Sequence, residues 1–118
     1  MAKNRYQLPA PVSLNKTLMP IIRIVKMNFK EDQVDTFQKV FTERKERIRH
    51  FTGCRHLELW QDDKEKNIFF TYSIWENEDY LDHYRFSAFF KETWSLTKAL
   101  FAGKPEAWTL NQLLICEE

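Results

Sequence analysis

Glycine is scarce in this chain, at two residues in 118. Phosphate-cradling loops need residues without a Cβ so that backbone N–H groups can close on an anion, and so few glycines argue against them. Cysteine is as scarce: Cys54 and Cys116 make no disulfide framework in a chain of this size, and the default is an intracellular, cytoplasmic protein with reduced thiols. No apolar run approaches the roughly 20 residues of a membrane span. Pro9, Pro11 and Asn15 break the continuous apolar core that a signal peptide requires. The net charge of +1 provides no overall field to draw in nucleic acid or an acidic membrane. Lys3, Arg5 and Lys16 have no acid beside them in the first 19 residues, so the remainder sums to −2.

The length is that of one domain with a real core. The chain is 43% hydrophobic and 30% charged, which is ordinary, but 15% aromatic, with ten Phe and four Trp. Most of these aromatics fall between residues 67 and 101, the stretch around which the chain is organised.

Residues 1–20 have no hydrophobic period and hold three of the four prolines, which predicts an extended or disordered arm. Met19, directly before the first strand, is a candidate internal start. Residues 21–29 (IIRIVKMNF) predict a strand. From Glu31 the period becomes helical, with Val34, Phe37, Val40, Phe41, Ile48 and Phe51 on one side, acids at the start and Arg44, Lys45, Arg47 and Arg49 near the end. That predicts a long amphipathic helix over 31–50, whose basic cluster forms its solvated face. Strand 2 is expected over 54–61, with Cys54, His56, Glu58 and Trp60 on one face and Arg55, Leu57 and Leu59 on the other. A polar connection (62–67) leads to strand 3, expected over 68–76, with Ile68, Phe70, Tyr72 and Ile74 opposite Phe69, Thr71, Ser73 and Trp75. Helices are expected over 78–85 and 88–101, N-capped by Asn77 and Ser87. The second lines up Phe90, Trp94, Thr97 and Phe101. After Pro105 a fourth strand is expected over 106–115.

The order β-α-β-β-α-β predicts an α+β, ferredoxin-like fold, a four-stranded antiparallel sheet with its helices on one face. Neither face of strands 1 and 3 is polar, and a bare apolar sheet face is a liability. A second copy of the same sheet is the simplest cover, so a homodimer through the sheet face is expected.

Phe51-Thr52-Gly53-Cys54, Leu57-Glu58-Leu59, Trp75-Glu76-Asn77-Glu78 and Leu81, in that order and spacing, resemble the antibiotic biosynthesis monooxygenase (ABM) domain family of the dimeric α/β-barrel superfamily. The likeness covers about residues 21–113. It implies a homodimeric α/β barrel with a small-molecule pocket in each subunit between sheet and helices. Several members of the family oxidise quinol- or anthrone-like aromatics with dioxygen and neither metal nor flavin, a related branch degrades haem, and many members have no known activity. This chain departs from the family's pattern. Histidines common in relatives align with Tyr84 and Phe89, and the iron-ligating His of the haem-degrading branch aligns with Trp94, whose indole nitrogen has no free lone pair. His83 sits one position from the family's His, a rotation of about 100° on a helix.

The candidate substrate-binding residues are Trp75, to stack on a planar substrate, with Tyr84, Trp94, Tyr72 and Phe90, each of which can equally serve as core. The candidate catalytic residues are Arg85, His83 and His56, polar groups able to polarise or deprotonate a phenol. His56 shares a strand face with Glu58 and can simply pair with it. Cys54, His56 and Cys116 lack the spacing of a metal site, and a Cys54–His56 nucleophile pair has no third group to orient it. No cofactor is expected, and no nucleic acid or membrane partner; the expected partners are a second copy of the chain and a small aromatic or apolar ligand. Two functions are expected from the resemblance taken with these residues. One is a cofactor-independent monooxygenase, in which Arg85 or a His holds an oxyanion. The other is a non-catalytic dimer that binds or senses a small ligand, which the aromatic replacements of histidine favour.

Overall fold

A computed structural model describes residues 20–117, so the arm expected over 1–20 lies, Pro20 apart, outside the described residues. The elements are β1 (Ile21–Asn28), a 3-10 turn (Glu31–Gln33), α1 (Val34–Arg49), β2 (Cys54–Gln61), β3 (Ile68–Trp75), α2 (Glu78–Arg85), α3 (Ala88–Lys98) and β4 (Glu106–Asn111). The sheet is antiparallel throughout, in the order β2-β3-β1-β4. This is the ferredoxin-like arrangement, and the helices cover one face of it.

Local chemistry sets the boundaries. The side chain of Asn77 accepts hydrogen bonds from the Asp79 and Tyr80 amides (2.9 and 3.2 Å), and that of Ser87 accepts one from the Phe90 amide (3.1 Å). Each thereby satisfies donors that open a helix. Asp62 closes the β2–β3 connection by accepting from the Lys64 and Glu65 amides. The core has two parts. Met27, Phe29, Phe37 and Phe69 pack together, with Phe29 stacked on Phe37 at 4.1 Å. Ile21, Ile48, Cys54, Leu81 and Phe89 pack around Trp75 and Tyr84.

Five expectations need correction. The long helix begins as a 3-10 turn, its companion stops at Lys98, and β4 ends at Asn111, so Gln112–Ile115 form no strand. Strand 2 does not alternate from its first residue. Its pairing with β3 shifts between Cys54 and His56, a β-bulge that puts Cys54 on the helix-covered face with Leu57, while His56 and Glu58 stay on the bare face. The basic cluster of α1 is also more than a solvated face. Arg44 donates to Thr93 of α3 (3.0 Å), Arg47 lies 4.1 Å over the Phe89 ring, and Arg49 donates to the Cys54 carbonyl (3.0 Å).

The helices leave β4 uncovered, and all six of its residues are exposed. The outer face carries Ile22, Ile24, Tyr72 and Ile74 beside Trp60 and Trp108, each of the latter two 41% exposed. Among the described residues, no helix is long and apolar enough to cross a membrane.

Gly53 has φ +90°, and a Cβ there would lie 2.4 Å from Cβ of Tyr80. Left-handed backbone costs a residue with a side chain about 1–2 kcal/mol, and overpacking adds about 1–3 kcal/mol. Gly53→Ala is therefore expected to destabilise the fold by roughly 2–5 kcal/mol, read as a lower urea midpoint.

Candidate functional site

Alternation along β1 and β3 turns Arg23, Val25, Met27, Ser73 and Trp75 toward the helices, and the helix layer does not fill the space above them. A cavity of about 310 Å³ remains between sheet and helices. It is at the small end of ligand-sized cavities, which run to about 300–1,000 Å³. Phe86 (69% exposed) and the uncovered start of β4 mark its open side.

A ladder of rings forms the wall. Trp75 is 1% exposed, and its indole N–H donates to the Ser73 hydroxyl at 3.0 Å, so the buried donor is satisfied. Tyr84 stacks on Trp75 at 4.8 Å. Phe90 meets Tyr84 edge-on at 5.0 Å and lies parallel to Trp94 at 5.9 Å. This arrangement follows from helical spacing, since Phe90 and Trp94 are neighbours on one side of α3.

Polar groups in the cavity are few. The described residues give the Tyr84 hydroxyl no hydrogen-bond partner. Burial, and secondarily the neighbouring Cys54, push its pKa well above the ordinary tyrosine value, so it stands as a neutral phenol able to donate. Burial likewise raises the Cys54 thiol, which donates to the His56 carbonyl at 3.6 Å. Arg85 lies 3.6 Å from Asp82. Arg23 donates to the Thr109 hydroxyl at 2.8 Å, and its pKa is lowered by burial and then by the Arg85 guanidinium, with Asp82 acting in opposition. Thr93 and Thr97 line the α3 side, with the Thr97 hydroxyl donating to the Thr93 carbonyl at 2.7 Å.

Trp75, Tyr84, Phe90, Trp94 and Arg85 thus come together at one cavity. Three other candidates do not. Tyr72 stands on the opposite face of the sheet, stacked on Trp60 at 4.9 Å, because three residues along a strand reverse the side-chain direction relative to Trp75. His56 is on that outer face too, hydrogen-bonded to Glu58, whose carboxyl it and the Trp60 indole hold below the usual carboxylate range. The bulge separates His56 from Cys54, so they form no nucleophile pair. His83 is exposed on α2, 5.7 Å from the Phe51 ring and outside the cavity. Among the described residues, no three His, Cys, Asp or Glu side chains gather in a geometry that could hold a metal ion.

Arg23 is the charged residue of the inward β1 row, and sequence reasoning did not place it at the cavity. The signal was available: in Ile21-x-Arg23-x-Val25-x-Met27 one cation interrupts an otherwise apolar inward row.

A ferredoxin-like α+β domain with an aromatic cavity under its helices is the class that fold and site define. The chain belongs to the antibiotic biosynthesis monooxygenase family, whose model matches residues 20–94. No functionally curated protein matches it by sequence. Among solved structures, a conserved protein of Methanosarcina mazei superposes with a TM-score of 0.77 at 20% identity, over 85% of this chain and 99% of that one. An antibiotic biosynthesis monooxygenase gives 0.75 at 18%, over 80% and 99%. A Caulobacter crescentus protein proposed to be such a monooxygenase gives 0.77 at 17%, over 87% and 98%. At these identities the likeness establishes the fold.

The state of Tyr84 sets a pH dependence. Unfolded tyrosine ionises near pH ~10 and folded Tyr84 above that, so the folded state holds the extra proton. Its contribution is complete below pH ~10 and is lost as pH rises further. Urea midpoints measured up the alkaline range should fall less steeply for Tyr84→Phe than for the parent, by up to about 1 kcal/mol per pH unit.

Proposed function

We propose that this protein is a cofactor-independent monooxygenase that oxidises a small, quinol- or anthrone-like aromatic compound with dioxygen. The observation that carries the reading is the ring-walled cavity containing a neutral phenol, Tyr84, and two guanidiniums, Arg85 and Arg23. Phe90 and Trp94, both half-buried, would stack on a planar ring system, with Tyr84 and Trp75 packed behind them. Arg85 would hold the substrate oxygen as it becomes an oxyanion, with Tyr84 donating a hydrogen bond. An anthrone-like substrate loses a proton from its ring CH₂ to solvent at the cavity's open side. The anion passes an electron to dioxygen, and the resulting radicals combine through a new carbon–oxygen bond that takes up a proton to give a hydroperoxide. Loss of water from that peroxide turns a ring CH₂ into a carbonyl. One oxygen atom enters the product, the other leaves as water, and all four electrons come from the substrate.

The working unit in this reading is a homodimer. Its support is the outer face, where Trp60, Trp108 and Leu110 are each more than 40% exposed beside Ile22 and Ile24. A cytoplasmic location belongs to the same reading, supported by two free cysteines.

A second reading, a non-catalytic dimer that binds a small ligand, draws on a different observation. No histidine lines the cavity, so the described residues offer no base that is half-protonated near neutral pH.

Oxygen uptake by metal-stripped protein with anthrones and hydroquinones separates the two. Protein-dependent uptake that falls at least tenfold in Arg85→Gln and in Trp94→Ala is expected. Uptake no faster than autoxidation would leave the ligand-binding dimer. Sedimentation should give a dimer that Trp108→Glu converts to monomer, because a carboxylate there would be desolvated in the interface.

A further inference from the structure

We infer that the cavity takes a planar aromatic acid, with its carboxylate held between Arg23 and Arg85. The inference rests on the reading of this cavity as a small-ligand site, and it gives the ligand's chemical class.

Arg23 occupies a position where cations are rarely placed. It is on a strand with neighbours on both sides, facing the helices, between Ile21 and Val25 and across from Ser73. Arg23 is half-buried there, so part of its hydration is lost without a paired counter-charge. Among the described residues no salt bridge includes it, and its side-chain hydrogen bond goes to a neutral hydroxyl, that of Thr109. The nearby carboxylates are shared with other cations, and Asp82 acts on Arg23 and Arg85 together. Asp82 lies 3.6 Å from Arg85, and Glu106, which lines the edge of the cavity, pairs with Lys26 at 3.9 Å on the outer side. Two guanidiniums and one carboxylate at the open side leave one positive charge uncompensated.

A guanidinium has five donors in a planar fork suited to a carboxylate, and among the described residues Arg23 uses one of them. Behind the charged rim the walls are Trp75, Phe90 and Trp94, with Phe90 and Trp94 within 11° of parallel. A flat ring would therefore enter first and its carboxylate would remain at the arginines. A neutral aromatic would fill the same walls and leave the charge unmatched.

Calorimetric titration with 2-naphthoate and with 2-naphthalenemethanol, its neutral counterpart, tests this. The protein should bind naphthoate about tenfold more tightly than the alcohol, the scale of one charged hydrogen-bonded contact. Arg23→Gln should lose that preference while binding the alcohol as before, and Arg23→Lys should recover part of it. Lys39→Gln, exposed on α1 and outside the cavity lining, should bind both probes as the parent does. Urea midpoints of the variants check that each is folded. Equal affinity for the two probes, or an unchanged preference in Arg23→Gln, would overturn the inference while leaving a ligand cavity in place. Binding of neither probe would overturn the inference and the cavity reading together.

Discussion

Burying the Trp75 indole sets a condition that most of the structure serves. The side chain is among the largest in the core and one edge carries an N–H that would cost about 1–3 kcal/mol if left unpaired. The Ser73 hydroxyl meets that need from the same strand face, two residues away. One ring face is then available for Tyr84, which fixes α2 against the sheet. At the strand end, Ile21 and Cys54 stand across from Trp75 on either side. The β2 bulge that turns Cys54 inward is thus part of the same packing. The ring ladder continues from Tyr84 through Phe90 to Trp94, so the cavity wall is the far end of a core contact.

Much of this was legible in the sequence because its causes are local. Asn77 and Ser87 could be read as N-caps, since their side chains act within three residues. Strand alternation, which is also local, separated Tyr72 from Trp75; pooling them in one site overlooked what that alternation said. The bulge was not legible, because it is a property of the pairing between two strands and leaves no mark on period-two spacing within one. The same is true of Arg44, Arg47 and Arg49, which look like a solvated cluster until the partners on α3 and β2 are in place. The family's motifs located the cavity. They did not point to Arg23, which stands out when β1 is read as an inward row.

The sheet has two working faces with opposite electrical characters. Inside, the cavity is mainly apolar, with hydroxyls and a cationic rim. Outside, the polar groups neutralise one another, with His56 and the Trp60 indole both donating to Glu58. That pairing leaves the outer aromatics as the dominant chemistry there. β4 belongs to both faces: Ala107 lines the cavity while Trp108 and Leu110 lie outside. With no helix over it, β4 is the least supported wall of the site.

The four tryptophans divide evenly between these environments. Trp75 and Trp94 stand at the cavity, Trp60 and Trp108 on the outer face. Indole emission depends on the polarity around the ring, so the chain carries two sets of intrinsic optical reporters. A guest among the rings would quench the inner pair and leave the outer pair red-shifted and accessible to iodide. Self-association would shift the outer pair to the blue and leave the inner pair unchanged. Occupancy and assembly can therefore be followed separately in the unlabelled protein.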